Sequence, residues 1–257
     1  MKLTTVCLAL MVTLALNIQG NAADWGHLTG TFKYEGTAPK PAEMQITKDQ
    51  PVCGKYQSEI VEQGLLVGEA GGVENVMIWL KPAMGKTVPV HPEVEKAASS
   101  PVVLDNLHCM FKPHALGLWA KHQTLVVKNS DPIAQALKID PVRNPPINVA
   151  LAIDGTVEQK FQLGERLPAA VTCGIHPWES AYLLISETPY FAITDSSGKF
   201  AIRNIPAGDW EFQVWHERSG YLNASPKWKA GRFTQNIKYA EVNLGTLTVT
   251  PALFKKK

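Results

Sequence analysis

The stretch "VTCGIHPWESAYLLI", residues 171–185, contains the residues that indicate the chemistry of this chain most clearly. Cys173 and His176 lie three residues apart, and an apolar run follows them. Cys173 could be half of a disulfide, a buried thiol or a metal ligand. The rest of the sequence has to decide between these three roles.

Strand patterns surround this stretch on both sides. Short runs rich in Val, Ile, Leu, Tyr and Phe are bounded by Gly, Pro, Asn and Asp, and they recur about every ten residues, a spacing typical of β-sandwiches. Helical periodicity is scarce, although "HPEVEKAASS" could hold a helical turn or two. We therefore predict an all-β fold. The clearest runs are "HLTGTFKYEG", "ENVMIWLKP", "TLVVKNSDP", "INVALAIDG", "AYLLISETP", "FAITDSSGKFAI" and "WEFQVWHE".

The sequence pattern of "ITDSSGKFAIRNIPAGDWEFQVWHE", residues 193–217, predicts a β-hairpin followed by a second turn. "DSSG" supplies turn residues, and in "IPAGDW" Pro206 fixes φ while Gly208 is free to take a positive φ. This segment resembles the transthyretin-like sandwich of carboxypeptidase regulatory-like domains. "LTGTFKYEGTAPKP" and "VENVMIWLKP" resemble its opening strands.

The central part of the chain resembles the cupredoxins, the family of plastocyanin and azurin. "MFKPHALGLWAKHQTLVVKNSDPI" follows their order of strand, turn, strand and first ligand loop, and "CGIHPW" is similar to their second ligand loop. The resemblance implies a Greek-key sandwich and a blue-copper site, with one thiolate, two imidazoles and a weak axial ligand. Cys173 and His176 would then be two of the ligands.

Two positions depart from the cupredoxin pattern. "NSDPIAQ" has Gln135 where the first-loop histidine belongs, and "CGIHPWE" has Glu179 where the axial methionine belongs. We expect His114 to lie at the same end of the sandwich, where it could complete a mixed site with Cys173, His176 and Glu179. Such a set would suit zinc or a non-blue copper as well as an electron carrier. The alternative is a site that has lost its metal.

The resemblances predict two β-sandwiches, one inserted into the other. The transthyretin-like sandwich would use residues 24–98 and 189–250, the cupredoxin-like sandwich would use residues 99–188, and residues 251–257 would be a basic tail. Two sandwiches in tandem are the alternative.

Export is indicated by the first 23 residues. Met1 and Lys2 precede an apolar run that ends near Ile18, and small residues follow, as in a signal peptide. No later apolar run approaches about 18 residues, so we expect a periplasmic or secreted protein without a membrane span after cleavage. An uncleaved anchor is the alternative for the first segment.

An oxidising compartment permits disulfides, and an odd number of cysteines, three, remains after the signal peptide. Because the cupredoxin resemblance assigns Cys173 to the ligand loop, we expect Cys53 to pair with Cys109. That bond would join the two sandwiches and contribute on the order of 3–4 kcal/mol.

Two functional classes remain. The first is an exported copper or other metal protein that transfers electrons to a redox protein partner. The second is a non-catalytic binding or structural module that docks on a cell-surface component. Enzymes and nucleic-acid binders are not expected, since no catalytic motif is visible and the net charge is only +2.

Overall fold

The computed structural model describes residues 24–254, and the predicted all-β fold is confirmed. The predicted signal peptide lies outside the described residues. Two short α-helices, α1 Gln50–Cys53 and α2 Pro92–Ala97, and two 3-10 turns, Gly54–Tyr56 and Pro251–Phe254, accompany the strands. In α2, Pro92 opens the helix where its missing N–H is not needed, and His91 Nδ1 accepts from Glu93 N at 3.1 Å. Among the described residues, no helix has the length and hydropathy to cross a membrane.

The described chain contains 17 strands. In chain order they are β1 Trp25–Tyr34, β2 Met77–Lys81, β3 Val102–Asn106, β4 Phe111–Lys112, β5 Ala115–Trp119, β6 Thr124–Asn129, β7 Gln135–Asp140, β8 Ile147–Leu151, β9 Thr156–Lys160, β10 Ala169–Cys173, β11 Ser180–Ser186, β12 Phe191–Ile193, β13 Lys199–Pro206, β14 Gly208–His216, β15 Gly220–Tyr221, β16 Arg232–Ile237 and β17 Glu241–Val249.

Two of the sheets, which we call the outer sheets, come from the two ends of the described chain. Their strand orders are β13-β1-β17 and β12-β2-β14-β15, with β16 also paired to β14. Side chains alternate along β1, so that Leu28, Phe32 and Tyr34 point into a shared core with residues of β2, β13, β14 and β17. Strands from before and after the central segment therefore share one core.

The central segment forms the other two sheets, which we call the inner sheets. Their strand orders are β5-β11-β10-β7-β8 and β4-β3-β6-β9. Two of the pairings, β3 with β6 and β5 with β11, are parallel, and the others are antiparallel. Both inner sheets contribute to a second buried cluster, in which Leu104 and Val127 of one sheet join Leu137, Val171 and Leu183 of the other.

The outer and inner sheets meet through a smaller apolar cluster. Met77, Trp79 and Trp215 of the outer sheets pack with Ala115 and Leu184 of the inner sheets. Gly117 on β5 faces the Phe191 ring, and a Cβ there would approach the ring to 2.6 Å. The two pairs of sheets are therefore in direct side-chain contact.

Residues 44–60 correct the expected boundary, because they do not contribute to the outer core. We call this stretch the cap segment; its Ile46 and Ile60 are buried against Met110 and Trp178 of the inner part of the chain. The segment is held there by the Cys53–Cys109 disulfide, which is the pair expected from the sequence. Covalent attachment and apolar burial together place the cap segment over one end of the inner sheets.

The last described turn also departs from the expected basic tail. Pro251–Phe254 is a 3-10 turn, and Phe254 is buried in the outer core with its ring centroid 5.9 Å from that of Tyr34. An aromatic side chain packed in this way makes the turn part of the core rather than a solvated tail. The lysines at positions 255–257 lie outside the described residues.

Candidate metal centre

The candidate metal centre lies where β10 ends and β7 begins. β10 ends at Cys173, β7 begins at Gln135, and the antiparallel pairing of Cys173 with Leu137 places both ends side by side. The loop of residues 174–179 then leads into β11, carrying His176 and Glu179 back over the same end. The sheet therefore fixes the backbone of Cys173 and Gln135, and the loop that it anchors at both ends carries His176 and Glu179.

Cys173 provides a buried sulfur that is surrounded by hydrogen-bonding groups. Its Sγ accepts from the backbone N–H groups of Ala136 and His176, both at 3.4 Å, and lies 3.1 Å from Gln135 Oε1 and 3.7 Å from His176 Nδ1. Burial opposes ionisation of the thiol, but the hydrogen bonds with His176 and Ala136 outweigh it and lower the pKa of Cys173. The environment thus favours the thiolate, the form that binds metals.

His176 is completely buried, and each of its ring nitrogens has a partner. Nε2 lies 2.7 Å from Asp49 Oδ2, while Nδ1 lies 2.7 Å from Gln135 Oε1 and 3.3 Å from Glu179 Oε1. Burial disfavours the charged ring, but the contacts with Cys173, Glu179 and Asp49 outweigh burial and raise the pKa of His176 to about 10. Both nitrogens therefore carry protons at neutral pH, and a metal at Nδ1 has to displace one of them.

Glu179 and Asp131 are two buried carboxylates that both contact the Gln135 amide. Glu179 accepts from Asn106 Nδ2 at 2.6 Å and from Gln135 Nε2 at 3.2 Å. Asp131 Oδ2 accepts from Cys109 N at 3.0 Å and also from Gln135 Nε2 at 3.2 Å. Burial raises the pKa of both carboxyl groups, because neither is hydrated as it would be in the unfolded chain.

Gln135 connects these groups through both ends of its amide. Its Oε1 faces Cys173 Sγ and His176 Nδ1, and its Nε2 donates to Glu179 and Asp131. The amide oxygen therefore lies between the sulfur and the imidazole, in the space that a shared metal ion would approach.

The donor atoms fit a transition metal in type and in spacing. One atom each from Cys173, His176 and Glu179 lie within 4.8 Å of one another. Ligands about 2.0–2.3 Å from one ion are themselves separated by roughly 3–4 Å, so small rearrangements bring the three into contact with it. Thiolate, imidazole and carboxylate are ligands of zinc and of copper, and Gln135 Oε1 is available as a fourth ligand.

His114 corrects an expectation from the sequence, because the structure does not bring it into this cluster. Its Nδ1 lies 3.0 Å from Ser180 O, and its Nε2 lies 2.7 Å from Glu217 Oε2 in the loop after β14. The parallel pairing of Ala115 with Tyr182 directs the start of β5 along β11 and towards the outer sheets. His114 therefore joins the two parts of the chain and is not a candidate ligand.

Three residues around the site were not identified from the sequence. Asp131 belongs to the quoted "NSDPIAQ" motif, so a signal for it existed. Asp49 and Asn106 reach the site from the cap segment and from the end of β3, and no motif connects them to Cys173. Only the folded chain brings these residues together.

Comparisons with known proteins give a likeness to solved structures alone. No family model matches the chain, and no curated protein is similar to it. A copper-containing nitrite reductase from Thermus scotoductus SA-01 is 18% identical over 42% of this chain, with a TM-score of 0.31. The match spans only 25% of the length of that protein.

Two smaller proteins match over most of their own length. A purple cupredoxin from Nitrosopumilus maritimus is 18% identical over 33% of this chain and 99% of its own, with a TM-score of 0.28. An amicyanin mutant in its oxidised state is 10% identical over 34% of this chain and 82% of its own, with a TM-score of 0.30. Such identities and scores do not establish a shared function, so the function is inferred below from the donor atoms themselves.

Proposed function

We propose that this chain is an exported metal-binding protein that holds one copper ion through Cys173, His176 and Glu179. The observation that supports this most directly is the convergence of a thiol, an imidazole and a carboxylate within 4.8 Å of one another at one end of the inner sheets. All three residues are at most 5% exposed. Buried ionisable groups of this kind are costly unless they are paired or bind a metal.

Copper bound there would supply one-electron chemistry for exchange with a redox protein partner. The surrounding residues of the chain hold the ligands in place. Asp49 fixes the orientation of the His176 ring through Nε2, and Asn106 fixes the Glu179 carboxylate through a hydrogen bond of 2.6 Å. The cap segment covers the site and limits the access of water.

The ligand set differs from that of a blue-copper centre, which needs two imidazoles. With one imidazole and oxygen donors, we expect copper to bind without the intense colour of a thiolate–copper centre in a trigonal His₂Cys site. Zinc is the alternative occupant, because a set of one sulfur, one nitrogen and oxygens also suits its tetrahedral preference.

A second candidate function is a structural or binding module without a metal, docking on a cell-surface component. The observation that favours it is the position of Gln135 Oε1, which already satisfies both Cys173 Sγ and His176 Nδ1. A fully hydrogen-bonded polar cluster can be stable without any ion.

Copper titration of the protein with the Cys53–Cys109 disulfide intact and Cys173 as a free thiol separates the two candidates. The metal-binding function requires one copper per chain in the wild type, loss of binding in Cys173→Ser, and retention in His114→Gln, a histidine outside the cluster. If the wild type binds no more copper than Cys173→Ser, the metal-binding function is rejected and the module without a metal is supported.

A further inference from the structure

We propose that the chain has a second metal position, formed by Cys109, Asp131 and Glu179, which the Cys53–Cys109 disulfide closes and reduction of that bond opens. The proposal extends the metal-binding function, because Glu179 also belongs to the first site. A sulfur of Cys109 and carboxylate oxygens of Asp131 and Glu179 lie within 4.8 Å of one another, and all three residues are buried.

The charges around this position favour a cation. Asp131 is 2% exposed and Glu179 is 0% exposed, and within residues 24–254 neither forms an ion pair with a lysine or arginine. His176 is the cationic partner of Glu179, at 3.3 Å. Asp131 is held instead by neutral donors, the Cys109 N–H and the Gln135 amide. A divalent ion between Asp131 and Glu179 would supply the missing positive charge.

A buried polar atom without a hydrogen-bond partner belongs to a side chain that contacts Glu179. Asn106 is completely buried, and its Nδ2 donates to Glu179 Oε2 at 2.6 Å. Its Oδ1 has no hydrogen-bond partner within the described part of the chain. Buried amide oxygens are nearly always paired. An unpaired amide oxygen whose own side chain contacts the buried Glu179 is therefore suited to act as an oxygen ligand of a cation.

The disulfide determines whether this position can bind a transition metal. A sulfur bonded to another sulfur is a poor ligand, whereas a thiolate is a strong one. A dithiol reductant attacks the disulfide through a mixed disulfide and is oxidised to its own cyclic disulfide, giving up two electrons and two protons. Cys53 and Cys109 take up those electrons and protons and become thiols. Cys109 then releases one proton to solvent when it binds the metal.

The two positions would share Glu179 through its two oxygens. Oε1 faces His176 and Gln135, and Oε2 faces Asn106. With the disulfide intact the chain would hold one ion, at Cys173 and His176. With the disulfide reduced it would hold two ions bridged by one carboxylate.

Cobalt(II) titration of three proteins tests this inference without a reductant in the sample. Cys53→Ser frees Cys109, whereas Cys109→Ser frees Cys53, so the two variants have the same number of thiols. We expect one cobalt per chain in the oxidised wild type and in Cys109→Ser, but two in Cys53→Ser, with about twice the thiolate-to-cobalt absorbance. Adding Asp131→Asn to Cys53→Ser should return the stoichiometry to one.

The outcomes separate this inference from the proposed function. One cobalt in all three proteins would overturn the second position and leave the first site intact. Two cobalt ions per chain in Cys53→Ser, with one per chain in wild type and in Cys109→Ser, would support the second position. No cobalt in any protein would overturn the second position, whereas the first site is decided by the copper titration of wild type and Cys173→Ser. Cobalt in Cys53→Ser alone would support the second position. If a variant does not fold, the wild type itself is used. It is reduced with a dithiol, and the dithiol is then removed under anaerobic conditions. This reduced protein must bind one ion more per chain than the oxidised wild type.

Discussion

Asp49 Oδ2 lies 2.7 Å from His176 Nε2, although 127 positions separate the two residues along the chain. Asp49 has a left-handed backbone conformation, with φ 49°, directly before α1. Cys53 at the end of α1 is bonded to Cys109, which anchors the cap segment beside the site. A carboxylate on the outer nitrogen of a metal-binding imidazole orients the ring and strengthens the ligand.

Replacing Asp49 should therefore weaken metal binding. Asp49→Asn keeps the shape of the side chain and removes its charge, and we expect a loss of about 10–100-fold in copper affinity, as is typical of such outer partners. Competition with a chromophoric copper chelator measures the change. Glu59→Gln is the matched control, because Glu59 lies in the same cap segment but contacts the half-buried His108 at 2.9 Å, outside the cluster. Equal affinities in both variants would show that Asp49 only covers the ring.

The parts of the fold that could be predicted from the sequence rest on local interactions. The turn at Asp195–Gly198 is an example, because Asp195 Oδ1 accepts from the N–H groups of Ser197 and Lys199 within four positions. The alternating burial of Leu28, Phe32 and Tyr34 follows directly from the period of a strand. Both features can be recognised from patterns of a few neighbouring residues.

The candidate site could be predicted only in part, because several of its contacts are non-local. The spacing of Cys173 and His176 brings them together on one loop, so their pairing follows from the sequence. The position of His114 does not follow from its nearness to a ligand loop in the sequence, because the structure places its ring, at the start of the strand that pairs with β11, against Glu217. The contact of Asp49 depends on the disulfide and on apolar burial of the cap segment, which no local pattern encodes.

Gly198 should be required for the hairpin turn. Its φ is 73°, and a Cβ at this position would collide with Phe32 O and approach Gly72 Cα to 2.9 Å. We expect Gly198→Val to lower the free energy of unfolding by about 1 kcal/mol or more, since a β-branched residue is strained at positive φ. Urea unfolding measures it. Gly85→Val is the control, because Gly85 has a φ of 78° but no atom lies within 4 Å of the added Cβ. An equally large loss of unfolding free energy in Gly85→Val would show that crowding makes no separate contribution at Gly198.

His216 should make the stability depend on pH. It is 1% exposed at the end of β14, and its ring lies edge-on to Phe254 at 5.1 Å. Burial lowers the pKa of His216 to about 4, against the opposing effect of Glu217. Because the folded pKa lies below the ordinary value of about 6.5, the stabilisation is complete above that pH and is lost as pH falls through about 4.

The lowering of the His216 pKa from about 6.5 to about 4 corresponds to a loss of about 3 kcal/mol in the free energy of unfolding between neutral pH and a pH below 4. We expect the difference in unfolding free energy between wild type and His216→Gln to shrink by about that amount between pH 7.5 and pH below 4, as measured by urea unfolding. His122→Gln, at an exposed histidine, is the control variant. Parallel pH profiles for wild type and His216→Gln would contradict the role of His216.

Reversing the two departures from the cupredoxin pattern should create a blue-copper centre. Gln135→His with Glu179→Met supplies a second imidazole and an axial thioether, which together with Cys173 and His176 complete the set. The side chain at position 135 already faces both ligands, because Gln135 Oε1 lies 3.1 Å from Cys173 Sγ and 2.7 Å from His176 Nδ1. The backbone therefore holds the geometry, and only the ligand atoms differ.

The double variant should lose some stability while gaining colour. Removing the Glu179 carboxylate leaves Asn106 Nδ2 without its acceptor, which costs about 1–3 kcal/mol in a buried site. We expect the wild type to bind copper weakly and without intense colour, and the folded double variant to turn blue through thiolate-to-copper charge transfer, as measured by absorption during copper titration. Glu179→Met alone is the control and should stay without intense colour, since it still has one imidazole. A folded double variant that takes up copper no better than wild type and stays without intense colour would show that the loop lacks the geometry of a cupredoxin.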